Sequence, residues 1–288
     1  MPLMFSTNIV FGRAAITEVE PFTLAFLRWS LSALILMPFV IGTIRKEMDL
    51  VRKLGAQFLG LGFLGMWICG AIVYVALKDT SATNGTLIYT TSPVIVILLE
   101  YFFRGRKIAL REAAGIILAF IGVWIIVFKG SFQNVLNLQF NAGDILFVLT
   151  AISWSVYSIF LKSKVFGPLQ PFPLFALVAA AGALLLLPFS VYEVVVLDAI
   201  PTSARSWTLI AGIVVISSVL AFSAYSFGVH VAGPTTTSIF IYLLPVYGIS
   251  LAVVLLGETL ESFHYVGIVA VLAGVILATL PEGILRRA

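Results

Sequence analysis

Charged residues are scarce in this sequence. Asp, Glu, Lys and Arg make up 10% of its 288 residues, hydrophobic residues make up 61%, and the mean hydropathy is +1.12. Soluble domains run near 25% charged and 45–50% apolar, so a water-soluble fold is excluded. Cysteine is almost absent as well. The single one, Cys69, lies inside an apolar run, so no disulfide framework exists. The two histidines, His230 and His264, are too few and too far apart to build a metal or acid–base centre. No Walker A motif or glycine-rich phosphate loop is present, which excludes an ATP-driven machine within this chain. No basic region precedes the first apolar run, so no cleaved signal peptide is expected. The expectation is a protein that is not an enzyme, holds no cofactor or metal, and has no nucleic-acid partner.

What remains is a series of long apolar stretches. Ten of them fall near residues 1–16, 22–44, 56–77, 85–103, 113–128, 145–162, 172–196, 209–229, 235–256 and 265–280. A helix needs about 20 residues to cross a hydrocarbon core of roughly 30 Å, and most of these suffice. A β-barrel would need strands of about 10 residues with alternating polarity, which are not seen. The first stretch is short for a full span, as expected of a chain that starts inside the bilayer or continues further upstream.

The few charges collect in the connections. Arg45, Lys46, Arg52, Lys53, Arg104, Arg106, Lys107, Arg111, Lys162, Lys164, Arg286 and Arg287 fall in one set of alternate loops and at the C-terminus. Glu18, Glu20, Asp79, Glu193, Asp198, Glu258 and Glu261 fall in the other set. The positive-inside rule then predicts that both termini are cytoplasmic. No Asp or Glu falls near mid-depth, which favours a neutral or zwitterionic substrate over a cation.

The chain also repeats itself at an offset of 152 residues. Pro93 maps to Pro245, Gly105 to Gly257, Gly115 to Gly267 and Gly122 to Gly274, without a gap. Five spans per half is an odd number, so the second half must enter the membrane upside down, as in many secondary transporters. The expected fold is an all-α membrane protein of ten transmembrane helices arranged as two inverted five-helix repeats. The first repeat covers 1–130 and the second 142–281, joined by a polar loop at 131–141 and followed by a cytoplasmic tail at 282–288.

The Pro245, Gly257-Glu258, Gly267, Gly274 pattern resembles the EamA type of the drug/metabolite transporter superfamily. The run from Gly143 to Lys162 is similar to that family's sixth helix, and Phe26-Leu27-Arg28 to its second. Within the superfamily the overall text is most similar to the YddG-type aromatic amino acid exporters. The sequence departs from the family pattern at Arg106, where an acidic residue follows the glycine elsewhere, and at Phe5-Ser6-Thr7-Asn8, which replaces a Trp-Gly start. The resemblance implies a transporter fold in the inner membrane and a small-molecule substrate.

With so few charges inside helices, polar and aromatic side chains at helical spacing are the candidates for binding it. Trp154, Tyr157 and Ser158 share one face of the sixth span, and Trp67 and Tyr74 one face of the third. Asn8 in the first span, Thr86, Tyr89 and Thr90 in the fourth, Tyr225 in the eighth, and Ser238 and Tyr242 in the ninth complete the set. In hydrocarbon their hydroxyls and amides require partners, so these stripes should face inward. Aromatic faces would accept an apolar or ring-bearing side chain, while hydroxyls and Asn8 would bind amino and carboxylate groups. Pro93 and Pro245 remove a backbone donor and are expected to kink their helices as matched gating elements. Arg13 and Arg28 are expected to snorkel or to pair with Glu18 or Glu20, with attraction of a carboxylate as the competing reading. The substrate expected from this set is a neutral or aromatic amino acid, exported by alternating access. Efflux of amphipathic drugs or other metabolites is the competing expectation, and two halves in one chain suggest a monomer in the lipid bilayer.

Overall fold

The computed structural model describes residues 1–105, 107–131, 141–161, 163–166, 169–225, 227 and 243–279. They form α1 (Pro2–Ala15), α2 (Pro21–Lys46), α3 (Met48–Lys53), α4 (Gly55–Asp79), α5 (Ala82–Tyr89) and α6 (Ser92–Arg104). Then follow α7 (Leu110–Val127), α8 (Ala142–Leu161), α9 (Pro171–Leu197), α10 (Ala204–Tyr225), α11 (Leu244–Leu256) and α12 (Ser262–Thr279). Among the described residues eight helical segments, α5 and α6 counted as one, are long and apolar enough to cross a membrane. α1 and α11 are shorter, at 14 and 13 residues.

Local chemistry sets the helix ends. α1, α2 and α9 open on Pro2, Pro21 and Pro171, whose missing N–H costs nothing at a position that has no intrahelical partner. Ser81 and Ser203 cap α5 and α10 by accepting the Asn84 and Ser206 N–H groups. α6 and α11 end at Gly105 and Gly257, both in the left-handed region at φ +64° and +67°, where a side chain would be strained. The outward faces are apolar, with Phe39 83% and Val254 77% exposed, as lipid-facing surfaces require.

Pro93 and Pro245 do not lie inside helices. Each is the second residue of its helix, α6 and α11, where a proline fits without breaking a bond. In the first half the fourth span is interrupted at Thr90-Thr91, just ahead of Pro93, so a break stands where a kink was expected. α4 and α10 each contain a π-helical stretch, Phe63–Ile72 and Ile213–Leu220. Both follow a glycine, Gly62 and Gly212, and they start 150 residues apart.

Five of the connections gather at one end of the bundle. There Glu20 pairs with Lys78 and Glu18 with Arg205. Asn141 donates to the Asp79 carbonyl, and the Glu258 carboxylate accepts from the N–H groups of Ala82 and Thr83. These contacts collect the links after α1, α4, α7, α9 and α11 on one side.

Of the helix pairs that join the halves, two pack along much of their length. α7 and α12 run antiparallel with their backbones in contact. A Cβ on Gly115 would come within 2.7 Å of the Gly274 carbonyl oxygen, and a Cβ on Gly274 within 2.7 Å of the Gly115 oxygen. Gly122 meets the Val271 backbone, and Gly267 meets Ile126. Small residues permit this approach, and close van der Waals contact holds the pair where lipid supplies no hydrophobic drive. α2 and α9 are also antiparallel. Phe22 and Thr23 meet Phe189, Ser190 and Glu193, while Trp29, further along α2, meets Phe175 near the start of α9. Their sequences match at an offset of 150, with Pro21, Phe22, Pro38 and Phe39 aligned on Pro171, Phe172, Pro188 and Phe189.

Candidate functional site

Arg28 organises the centre of the molecule. It lies on the second turn of α2, and it is 4% exposed rather than snorkelling to an end of the bundle. Nε donates to Ser218 Oγ at 2.8 Å, and Nη1 donates to the Tyr74 hydroxyl at 3.3 Å. Tyr74 in turn donates to Asn8 Oδ1 at 2.9 Å. The guanidinium carbon lies 4.1 Å from the centroid of the Trp29 ring, a cation–π distance. The expected pairing with Glu18 or Glu20 does not occur, because Arg205 and Lys78 take those carboxylates. Arg13 donates to the Leu77 carbonyl instead.

Beside the guanidinium is an aromatic cluster drawn from six helices. Phe175 of α9 and Phe222 of α10 stack at 4.5 Å with planes 4° apart. Trp29 of α2 meets both edge-on, at 6.2 and 6.1 Å. Trp154 of α8 approaches Phe222 at 6.4 Å and continues to Tyr157 at 5.2 Å and Tyr89 of α5 at 6.1 Å. Phe5 of α1 bridges Phe222 and Tyr225 at 5.2 and 6.4 Å. Edge-on and offset pairs of this kind are the favoured aromatic geometries. Tyr157 is buried against Gly65, whereas Trp154, Phe222, Tyr89 and Asn8 are half-buried and keep part of their surface open.

Other expected site residues are placed differently. Trp67 lies apart, packed on Phe22, Phe63 and Phe189 toward the outside of the bundle, where Phe63 and Phe189 are exposed. The cause is the π-helical stretch. Each turn there takes an extra residue, so Trp67 and Tyr74 do not share the face that 3.6-residue spacing implies. Ser158 and Thr90 bond back to the Trp154 and Thr86 carbonyls of their own helices. The Thr86 hydroxyl is buried without a described partner and faces Gly248 of α11. Ser238, Tyr242 and His230 lie outside the described residues.

A second polar network closes the end that holds the acidic loops. Asp144, fully buried at the start of α8, accepts from Thr80 and from the Asn84 amide. Asn84 Oδ1 lies 3.0 Å from His264 Nε2, while His264 Nδ1 accepts from the Glu261 N–H. Because Nδ1 accepts, Nε2 carries the proton and donates to Asn84. Glu193 similarly accepts from Phe22 N, Thr23 N and the Thr23 hydroxyl across the α2–α9 pair. Sequence reading weighed Arg28 as a carboxylate partner but preferred snorkelling, and it passed over Asp144 and Glu193 as site residues; the legible signal in each case was an ionisable group inside or at the edge of an apolar segment.

A sequence model of the EamA-like transporter family matches residues 1–128 and again 141–280. The chain belongs to that family. An uncharacterized transporter of Archaeoglobus fulgidus is 28% identical over 280 residues, covering 96% of this chain and 94% of its own. The uncharacterized transporter YyaM of Bacillus subtilis is 28% identical over 273 residues, covering 93% and 86%. The uncharacterized inner membrane transporter YedA of Escherichia coli is 23% identical over 284 residues, covering 96% and 89%. One solved crystal structure superposes on the fold with a TM-score of 0.63 at 17% identity, covering 99% of this chain and 95% of that one. As an EamA-family member the protein is a membrane transporter, and that membership speaks against an enzyme.

Proposed function

We propose that this EamA-family chain is a secondary transporter of the inner membrane that exports neutral and aromatic amino acids, with related small metabolites, by alternating access. The observation that carries this reading is the aromatic cluster of Trp29, Phe175, Phe222 and Trp154, assembled from both halves of the chain beside Asn8 and Tyr74. Ring faces suit an apolar or aromatic side chain, and the neighbouring polar atoms suit the α-substituents of an amino acid. A site at the junction of two repeats is where rocking of one half against the other changes access.

Ten spans in two inverted repeats follow from the same reading, with both termini cytoplasmic and one chain sufficient for function. Reciprocal contacts support it. Gly115 meets Gly274 while their counterparts Gly267 and Gly122 meet, and Gly122 meets Val271 while their counterparts Gly274 and Ala119 meet, so the contacts exchange across the 152-residue offset, as a two-fold axis between antiparallel halves requires. The inner-membrane assignment draws on the name of the YedA relative.

Counterflow in proteoliposomes tests the substrate class. Vesicles loaded with unlabelled phenylalanine should accumulate labelled phenylalanine, and other neutral amino acids should compete. Exchange blocked only by amphipathic drugs would replace this reading with drug efflux. Flux without saturation or counterflow would point to a channel.

A further inference from the structure

We propose that Arg28 is the anchor for a carboxylate or equivalent monoanion on the transported molecule, so that the site takes acids and amino acids and rejects amines. This inference rests on reading the central cluster as the substrate site.

The polar atoms there are unbalanced in one direction. A guanidinium offers five N–H donors in a fixed plane. Ser218 takes Nε and Tyr74 takes one hydrogen of Nη1, and among the described residues no acceptor takes the rest. Tyr74 accepts from Arg28 and spends its own hydrogen on Asn8 Oδ1, which leaves the Asn8 amide N–H groups facing outward from that chain. Trp29 Nε1, buried beside Arg28, is a third donor without a partner. All three surpluses are donors. A cation among neutral groups in a low-dielectric bundle is costly, and among the described residues no carboxylate lies within ion-pair distance of Arg28. A ligand that brings one negative charge resolves both the charge and the donors.

The geometry also specifies the approach. With Nε held by Ser218 and one Nη1 hydrogen by Tyr74, the second Nη1 hydrogen and both Nη2 hydrogens are left to meet the oxygens of a carboxylate. The Trp29 ring under the guanidinium holds that plane in place. The apolar body of the ligand then lies against Phe175 and Phe222, which Trp29 also touches. A cationic ligand gains nothing from this edge and meets a like charge.

Three probes isolate the group that is read: phenylalanine, 3-phenylpropionate, which lacks the amine, and phenethylamine, which lacks the carboxylate. Binding to the purified full chain is followed by calorimetry and by quenching of tryptophan emission. The two acids should bind the wild type, and phenethylamine should bind at least roughly tenfold more weakly, as loss of charge-assisted hydrogen bonds implies. Arg28→Gln should weaken the acids by roughly 10- to 100-fold, while Arg28→Lys, which keeps the charge, recovers part of the loss. Should Arg28→Gln fail to fold, the wild-type comparison of acid and amine and the Arg28→Lys variant still decide. Equal binding of amine and acid, no acid binding at all, or full acid affinity in Arg28→Gln overturns the proposal. Phenylpropionate binding that depends on Arg28 without phenylalanine counterflow would remove the amino-acid reading and leave this one standing. Phenylalanine counterflow indifferent to Arg28→Gln does the reverse.

Discussion

The Ser155 hydroxyl donates to the carbonyl of Ser92 at 2.9 Å, the carbonyl immediately ahead of Pro93. On the other side of the molecule Ser6 donates to the Leu244 carbonyl at 3.0 Å, immediately ahead of Pro245. The single hydrogen of each serine is shared with the carbonyl four residues back along its own helix, Ala151 and Pro2. The first helix of one half thus clamps the proline-headed helix of the other, and the arrangement occurs twice. Ser92 and Leu244 are the first residues of their helices, where carbonyls already accept from the N–H four residues on, so each serine adds a second, interhelical bond to such a carbonyl. Replacing either serine by alanine is expected to lower stability by about 1 kcal/mol, read from reversible unfolding in mixed micelles. Unchanged stability in both variants would show that these hydroxyls contribute nothing to holding the helices together.

The α7–α12 contact makes a sharper prediction. Gly115 and Gly274 face each other's backbone, and neither can shift without parting the helices. Gly115→Val or Gly274→Val should destabilise the fold by several-fold more than a surface change, on the order of 3 kcal/mol, through overpacking. Gly60, with nothing within 4 Å of its Cβ position, is the control. Gly60→Ala should be neutral or stabilising by up to about 1 kcal/mol, since alanine is the better helix former. Yield of monodisperse protein and melting temperature distinguish the two classes.

Much of this architecture was legible, and each legible feature has a physical reason. Pro93 and Pro245 head equivalent helices, Gly105 and Gly257 end them in the left-handed region, and Gly115, Gly122, Gly267 and Gly274 build one close crossing. Those jobs tolerate no other residue, so the repeat survives there. The second correspondence, at offset 150, was not read, because α2 and α9 pair largely through bulky apolar side chains that substitute for one another; Pro21, Pro38 and their partners are the remaining markers. The stripe joining Trp67 to Tyr74 assumed 3.6 residues per turn, and no rule applied to the sequence predicts a π-helical stretch. Arg28 was misjudged for a related reason. Its depth is readable, but the direction of its side chain depends on Ser218, which is 190 residues away.

Asn84 offers a handle on access from the acidic-loop end. Among the described residues its side chain links Asp144 of α8 to His264 of α12, at the acidic-loop end of the bundle. The native Cys69 is a built-in reporter, since it is buried near the centre and is the one thiol in the chain. In the wild type, a membrane-impermeant maleimide added from that side should label Cys69 slowly. Asn84→Ala removes the bridge and leaves a buried carboxylate one donor short, which favours opening. Labelling should rise several-fold, by at least the factor of about 5 that a loss of 1 kcal/mol implies. Equal labelling in both proteins would show that the network packs the end of the bundle without governing entry.

The aromatic cluster and the Trp67 group provide a matched test of location. Trp154 contacts Tyr157, Tyr89 and Phe222 at the centre, while Trp67 contacts Phe22, Phe63 and Phe189 at the periphery. Both are half-buried tryptophans in apolar surroundings, so truncation costs each a similar packing energy. Their effects on transport should nonetheless differ. Trp154→Ala should reduce phenylalanine counterflow by roughly threefold to tenfold, the value of one aromatic contact with a ring-bearing substrate. Tyr157→Ala should reduce it as well, because Tyr157 supports the Trp154 ring. Trp67→Ala should lower the melting temperature while leaving the apparent affinity for phenylalanine where it was. If Trp67→Ala weakened affinity as much as Trp154→Ala, the substrate would have to reach the α2–α9 face, and the central cluster would be ordinary packing.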